Sequence, residues 1–198
     1  MKLIDSRKDP FRRLARDQGY RSRSAFKLKQ INQSYRILNK GDCIVDIGCA
    51  PGGWMQIALP EVGTKGKVIG VDIKKIEPLY NAFIIQGDIE DEHVTDNILK
   101  ISNSCVDVVL WDLTPNVSGI WELDHARQMD LTRNAIRLSS KILKKRGKAV
   151  FKVFQGDMLN ELVVELKKKF KKVILTKPNA SRQVSSEIYL ICLDYNPV

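Results

Sequence analysis

Charged side chains interrupt or end several apolar runs of this sequence, and these are the residues that could do chemistry. Lys152 lies inside the run from Lys148 to Phe154. A lysine in a buried strand must be paired with an opposite charge, altered in its ionisation or directed into a cleft, because burying an isolated ammonium is costly. Asp112 directly follows another apolar run, Cys105 to Trp111, and open α/β sheets keep their sites at such strand ends. Taken alone, Asp112 is equally well explained as a helix cap or a turn residue.

The stretch from Cys43 to Trp54 is the clearest ligand-binding pattern in the chain, and it reads Cys-Ile-Val-Asp-Ile-Gly-Cys-Ala-Pro-Gly-Gly-Trp. Its apolar start, broken only by Asp46, predicts a buried parallel strand that ends in a tight glycine turn and opens a helix. Gly48 suits a backbone with positive φ. Gly52 and Gly53 let a ligand approach the main chain without a Cβ in the way.

The spacing of this turn distinguishes between nucleotide ligands. A dinucleotide turn has the pattern Gly-x-Gly-x-x-Gly, whereas three residues separate Gly48 from Gly52 here. The carboxylate of Asp46 would repel a pyrophosphate but accommodate a cationic ligand, such as the methionine part of S-adenosylmethionine. Pro51 fits the first turn of the following helix, where no amide hydrogen is needed. The alternative is an ordinary turn without a ligand.

Two further carboxylates follow predicted strands. Asp72 ends the run from Lys67 and lies 24 residues beyond Gly48, about where a carboxylate accepts hydrogen bonds from the ribose of an adenosine-type cofactor. Asp88 comes just after a third short strand, Ala82 to Gln86, and could reach an adenine amino group. A turn or a helix cap is the alternative for Asp88.

Length and composition favour a single intracellular domain. The chain has 198 residues, of which 43% are hydrophobic, enough for one full core. We find no apolar run of the ~18 residues that a membrane-spanning helix needs and no signal-peptide pattern, so we expect a cytoplasmic protein. Four scattered cysteines and two histidines offer no zinc-ligand spacing, which favours buried, reduced thiols and no metal.

Positive charge is concentrated at the amino-terminal end. The whole chain carries a formal charge of +10, and its first 40 residues contain 12 Lys or Arg against 3 Asp or Glu. Residues 1–21, in which Pro10 and Gly19 break any long helix, are predicted to form a basic arm over the body. Such an asymmetry indicates a polyanion partner, with a solvated basic face as the alternative.

The remaining pattern alternates strands and helices, which predicts one doubly wound α/β sheet with a terminal strand pair. A helix capped by Ser22 or Ser24 would carry Lys27, which on its own reads as a surface lysine. Glu187 opens the last strand and could be an ordinary strand-end residue. The other predicted elements are helices at Glu90–Ile101, Trp121–Leu143 (stopped by Gly147) and Asp157–Phe170, and strands at Lys172–Thr176 and Glu187–Leu193.

Read together, six motifs resemble the FtsJ family of ribose 2′-O-methyltransferases, most closely its branch that acts on uridine of large-subunit ribosomal RNA. The resemblance extends from about Arg21 to Leu193, and the ordered set is far more specific than any one motif. The motifs are Ser-Arg-Ser-Ala-Phe-Lys-Leu, Asp-Ile-Gly-Cys-Ala-Pro-Gly-Gly-Trp, Gly-Asp-Ile-Glu-Asp, Asp-Leu-Thr-Pro-Asn, Lys-Val-Phe-Gln-Gly and Ser-Ser-Glu-Ile-Tyr.

This resemblance implies a Rossmann-like class I methyltransferase domain over residues 22–198, with a mostly parallel twisted sheet, an antiparallel last strand and helices on both faces. It implies S-adenosylmethionine as the methyl donor, and it assigns two groups of residues. The cofactor would be held at Gly52, Trp54, Asp72, Asp88 and Asp112, and the catalytic tetrad would be Lys27, Asp112, Lys152 and Glu187. One departure is Leu113-Thr114, where the family commonly has Met-Ala, and we expect it to affect a cofactor contact and not the chemistry.

The resulting hypothesis is methyl transfer to a ribose 2′-hydroxyl of ribosomal RNA by a monomeric enzyme, with no membrane or DNA partner. Lys152 would activate the hydroxyl, either as a neutral base or as a donor that orients the oxygen, and the sequence leaves this choice open. Three alternatives remain at this point. They are 2′-O-methylation of a tRNA anticodon loop, a non-catalytic RNA-binding assembly factor and, against the glycine spacing, a nicotinamide oxidoreductase.

Overall fold

The computed structural model describes residues 9–116 and 118–197, which form one seven-stranded sheet flanked by helices. The strands are β1 Cys43–Ile47, β2 Lys67–Asp72, β3 Ala82–Gln86, β4 Val106–Trp111, β5 Leu143–Phe154, β6 Phe170–Thr176 and β7 Glu187–Tyr195. The helices are α1 Pro10–Asp17, α2 Ala25–Tyr35, α3 Gly53–Val62, α4 Glu92–Ser102, α5 Trp121–Ile142 and α6 Leu159–Lys169. The predicted doubly wound α/β fold is confirmed.

The strand order is β3-β2-β1-β4-β5-β7-β6, and only β7 runs against its neighbours. Apolar side chains of α2 and α3 pack on one face of the sheet, and those of α4, α5 and α6 pack on the other. Because β7 is antiparallel to β5, its first residue, Glu187, pairs with the last residue of β5, Phe154. The start of β7 therefore meets the carboxyl ends of the parallel strands at one edge.

The glycine turn after β1 forms as predicted, with one correction. Gly48 has φ +75° and Gly52 has φ +110°, both in the left-handed region. Pro51 precedes the helix instead of lying in its first turn, because Gly52 is the N-cap residue of α3. A Cβ on Gly52 would crowd Arg21 and Leu79. The side of Gly52 where a Cβ would lie is therefore occupied by the protein's own side chains.

The boundary between α5 and β5 differs most from the sequence prediction. The helix ends at Ile142, and the strand begins at Leu143 without a turn between them. Gly147, which we expected to stop the helix, lies inside β5. Leu143 is buried in the core and Lys144 forms an ion pair with Asp107 of β4, so tertiary contacts draw this segment into the sheet.

The amino-terminal segment, predicted as a basic arm without a long helix, contains the short helix α1. Helix α1 begins after Asp9, whose side chain accepts hydrogen bonds from the main chain of Phe11 and Arg12. Its buried Ala15 packs with Phe11 and Phe26, so α1 is docked against α2. Residues 1–8 of the predicted arm lie outside the described residues.

Three sequence expectations concern thiols, metals and membranes. All four cysteines are free, and burial raises the pKa of Cys43 to about 11. Within the described ranges, no three His, Cys, Asp or Glu side chains are grouped as metal ligands. No helix in that same part of the chain is both long and apolar enough to cross a membrane.

Candidate active site

Lys152 lies at the centre of the site, two residues before the end of β5. It is 3% exposed, and its ammonium is surrounded by oxygen atoms. Its Nζ donates to the main-chain oxygen of Asp112 at 2.7 Å and lies 3.2 Å from Oδ1 of the same residue. The Glu187 Oε1 atom lies 3.8 Å away. The strand lysine is therefore paired with two carboxylates at the sheet edge.

Lys27 joins this cluster from helix α2. Our interpretation of Lys27 taken alone, as a surface lysine, is wrong: the residue is buried and its Nζ lies 2.9 Å from Glu187 Oε2. Burial opposes ionisation of Glu187, but the positive charges of Lys27 and Lys152 outweigh it and lower the pKa of that carboxyl. The four residues Lys27, Asp112, Lys152 and Glu187, which the resemblance placed in one site, are thus joined by three ion pairs.

Tyr189 is a member of this network that the sequence analysis did not single out. Its hydroxyl donates to Asp112 Oδ1 at 2.9 Å, and its ring lies 5.6 Å from the Lys27 Nζ. Burial, followed by the negative charge of Asp112, raises the pKa of Tyr189 well above its ordinary value, so the phenol stays protonated as a donor. The available signal was alternation, since Tyr189 shares a strand face with Glu187 two residues earlier.

Thr114 also contacts Lys152. Lys152 donates a hydrogen bond to Thr114 Oγ1 at 2.5 Å. The departure from the family pattern, which we expected to affect a cofactor contact, therefore includes a side chain that contacts Lys152. The adjacent Leu113 packs against Gly48, where a Cβ would overlap its side chain.

Trp54 holds the lysine-bearing helix in position. Its indole nitrogen donates to the main-chain oxygen of Ser24, the residue just before α2, at 2.8 Å. Its ring lies 5.9 Å from that of Tyr189. Ser24 occupies the N-cap position but makes no side-chain capping bond, since its hydroxyl pairs with that of Ser22. The buried Trp54 thus connects the glycine-turn helix with the tetrad.

Asp46 is a buried carboxylate without a partner. It is 1% exposed, and within the described residues neither of its oxygens accepts a hydrogen bond. Burial raises its pKa well above the ordinary value, and the negative charges of Asp112 and Asp72 raise it further. Because Asp46 has no partner and two other carboxylates act on it, its surroundings suit a cationic group. The methionine ammonium and sulfonium of S-adenosylmethionine fit that requirement.

The other predicted cofactor residues lie on the adjoining strand ends. Asp72, at the end of β2, accepts hydrogen bonds from the main chain of Ala50 and Lys74. A carboxylate has further lone pairs, so Asp72 can still accept hydrogen bonds from ribose hydroxyls. The exposed Asp88 follows Gly87, whose main-chain nitrogen donates to the main-chain oxygen of Asp72 at 3.0 Å. The Asp88 Oδ1 atom accepts from the main-chain nitrogen of Glu90, so Asp88 is also a turn residue.

A groove of about 320 Å³ opens beside the tetrad, and we call it the tetrad groove. Its inner wall includes Lys27 and Glu187, and its rim carries the guanidinium groups of Arg23 and Arg182. Asp9 pairs with both arginines, and its Oδ2 lies 3.3 Å from the Arg182 Nε. The remaining lining residues are Ser24, Val184 and Ser185. The groove thus leads from a positively charged rim to the buried tetrad.

Comparison with known proteins identifies the family. The sequence profile of the FtsJ-like methyltransferases matches residues 20–195. The chain belongs to the FtsJ-like methyltransferase family. Among curated FtsJ-like relatives, "Ribosomal RNA large subunit methyltransferase E" of Nitrosopumilus maritimus is 49% identical over 98% of this chain and 99% of its own length. The family resemblance inferred from the sequence is confirmed.

Solved structures agree with this assignment to the FtsJ-like family. A protein assigned as a ribosomal RNA methyltransferase from Plasmodium falciparum is similar with a TM-score of 0.83 and 32% identity, covering 90% of this chain and 100% of its own. Fibrillarin of Aeropyrum pernix, solved with natively bound S-adenosyl-L-methionine, has a TM-score of 0.61 at 15% identity, covering 88% and 75% of the two chains. The fibrillarin likeness shows a shared fold.

Proposed function

We propose that this protein transfers a methyl group from S-adenosylmethionine to a ribose 2′-hydroxyl of large-subunit ribosomal RNA. The observation that carries the proposal is the convergence of Lys27, Asp112, Lys152 and Glu187 beside the unpartnered carboxylate of Asp46. The tetrad supplies groups for a hydroxyl, and Asp46 supplies the counter-charge for a sulfonium donor. The name shared by the curated relatives supports ribosomal RNA as the acceptor.

The donor site is formed by the carboxyl ends of β1, β2 and β4. Asp46 and Asp112 would face the methionine part, Asp72 the ribose and Asp88 the adenine, with Gly48, Gly52 and Trp54 shaping the turn between them. When bound, the cofactor supplies an electrophilic methyl group on a positively charged sulfur. Binding of that positive charge would be coupled to ionisation of Asp46, because the cation supplies the partner that the buried carboxyl lacks and offsets its raised pKa.

The residues of the tetrad hold the acceptor oxygen in line with the methyl group. Lys152 is fixed by Asp112, Thr114 and Glu187, so its amine is aimed at one position near the sheet edge. A ribose hydroxyl at that position can hydrogen-bond to the amine, which orients an oxygen lone pair. Lys27 keeps Glu187 ionised and in place. Methyl transfer would form the oxygen–carbon bond and break the sulfur–carbon bond, leaving a neutral thioether, and the hydroxyl proton would pass to a neutral Lys152 amine or to solvent water.

The RNA would enter through the tetrad groove and contact the outer face of α1. Arg23 and Arg182 on the rim can bind the phosphates that flank the target ribose. On α1 the side chains of Arg13 and Arg16 are exposed, and their ion pairs within the described part of the chain are long ones with Asp17, at 3.8 and 3.6 Å. Such exposed pairs are worth little, so both arginines can turn to phosphate. We further propose that the enzyme is a cytoplasmic monomer.

The test is a methyl-transfer assay with labelled S-adenosylmethionine on separated ribosomal subunits, free large-subunit RNA and tRNA. We expect label on the large subunit or its RNA, resistant to alkali at one ribose. Label on tRNA alone would contradict the proposed acceptor. Absence of transfer to any RNA would contradict the enzymatic function and favour a non-catalytic RNA-binding role.

The role of α1 needs its own experiment, because deleting residues 1–21 would also remove Asp9 and Arg21, which the fold uses. The substitutions Arg13→Gln and Arg16→Gln leave the docked face of the helix intact. We expect them to weaken RNA binding. We also expect the salt slope, which is the fall in the logarithm of the binding constant per logarithm of salt concentration, to decrease by about 1 to 2. An unchanged slope would show that α1 does not contact RNA.

A further inference from the structure

A second positively charged groove lies beside the same strands as the tetrad but at their opposite ends, where β5 and β6 begin. Its volume is about 470 Å³, and six cations line it: Lys145, Arg146, Lys167, Lys168, Lys169 and Lys171. They come from three elements, the start of β5, the last turn of α6 and the start of β6. We call this site the lysine groove.

The cations of the lysine groove are not neutralised by the protein. Among the described residues, none of the six forms an ion pair, and the groove contains one carboxylate, Asp194. The neighbouring Lys144 differs, since it is paired with Asp107. A helix carboxyl end favours positive charge, which accounts for the three lysines of α6. It does not account for Lys145, Arg146 and Lys171, which come from strands.

The lysine groove is too far from the tetrad to contact the reacting ribose. Lys145 and Lys152 are both on β5, and the bulge between Leu143 and Lys148 shortens the path between them to about 17 Å, or some five extended residues. The pairing of Phe170 with Tyr195 places the groove where β6 begins and β7 ends. A partner that fills the groove while its ribose is in the tetrad must therefore span the sheet.

The lining of the groove indicates the chemistry of this partner. Its apolar floor consists of Phe170 and Tyr195, both buried and packed with ring centroids 5.2 Å apart. Among the described residues that line the groove, none offers an exposed aromatic ring for stacking on a base or an exposed large apolar side chain for a membrane or an apolar helix. A lysine ammonium is a point charge on a flexible chain, so it binds phosphates more readily than it reads base edges.

We infer that the lysine groove is a second RNA-docking site, which binds the phosphate backbone of a remote segment of the same RNA whose ribose is methylated. This inference rests on the proposed function, because ribosomal RNA is the polyanion long enough to reach both grooves. The contact is sequence-independent and salt-sensitive. It adds affinity for large folded RNA and leaves the chemistry unchanged.

The test compares two variants with the same change in net charge. Lys167→Gln with Lys171→Gln alters the lysine groove, whereas Lys65→Gln with Lys100→Gln alters exposed lysines near β2 and in α4. Binding of a large-subunit RNA transcript is measured as a function of salt. We expect the groove variant to lose about 1.4 to 1.8 from the salt slope, as for two lost phosphate contacts, and the control variant to match the wild type.

Turnover and folding provide two further readouts. The groove variant should raise KM for the transcript about fivefold or more and leave kcat unchanged, as expected when only ground-state binding is lost. Its thermal unfolding midpoint should match that of the control, because the substituted side chains are exposed. Replacing both lysines with arginine should restore the slope.

Equal salt slopes for the groove and control variants would overturn the inference, and the groove would then serve a partner other than RNA, such as an acidic protein. A fall in kcat without a change in slope would also overturn it. Failure of the proposed function gives a different pattern, in which the wild type transfers no methyl group although the slopes still differ between the two variants.

Discussion

The Tyr189 hydroxyl donates to the Asp112 oxygen that also faces Lys152, so one carboxylate oxygen is shared by the phenol and the ammonium. Tyr189→Phe removes only this donor and keeps the ring that packs beside Lys27 and Trp54. We expect kcat to fall about tenfold, the cost of losing one hydrogen bond to a charged group, with S-adenosylmethionine affinity retained. Single-turnover kinetics measures the rate of methyl transfer, and an unchanged rate would show that Tyr189 contributes only packing.

Thr114 provides an independent test of how Lys152 is held. Thr114→Val keeps the side-chain shape and removes the oxygen that accepts from the Lys152 amine at 2.5 Å. We expect kcat for RNA methylation to fall by roughly tenfold with little change in KM for RNA, since the amine is less well aimed. Thr114→Ser keeps the hydroxyl and is the matched control. Equal rates for the two variants would contradict this role of Thr114.

Asp46 links cofactor binding to stability. The pKa of Asp46 is raised in the folded state, whereas in the unfolded chain it is about 3.9. As pH rises above about 3.9, the unfolded chain therefore loses this proton first, and the free energy of unfolding falls. Asp46→Asn should therefore raise the free energy of unfolding at pH 8 relative to wild type, and this gain should shrink as pH falls toward about 4. Chemical denaturation at several pH values measures it.

The same substitution should weaken binding of S-adenosylmethionine about ten- to a hundredfold, because the positively charged donor loses its counter-charge. Asp88→Asn, at an exposed turn, is the control for stability and should show no such pH dependence. Greater stability with unchanged cofactor affinity would mean that Asp46 does not face the cofactor.

Periodicity and turn chemistry were enough to predict most of the fold. Lys67–Asp72 and Ala82–Gln86 have the predicted bounds because apolar runs there are limited by charged or glycine-rich turns. The start of β5 was missed because its residues 144–146 are charged and exposed, and pairing with β4 decides their conformation. Local sequence does not contain that information.

The site was only partly predictable for the same reason. Lys152 stood out as a charge within an apolar strand, whereas Lys27 and Glu187 are 160 residues apart and each looked ordinary alone. Only the family resemblance grouped them before the structure brought them together. Thr114 and Tyr189 contact Lys152 and Asp112 only in the folded chain, and no rule of sequence spacing predicts those contacts.

The most direct test of the account is the turnover of Lys152→Ala together with its cofactor affinity. We expect methyl transfer to large-subunit RNA to fall by at least about a thousandfold, because the group that orients the acceptor oxygen is gone. Calorimetry should show S-adenosylmethionine binding close to that of the wild type. Methylation at a near-normal rate by Lys152→Ala would contradict the central claim that the tetrad performs the transfer.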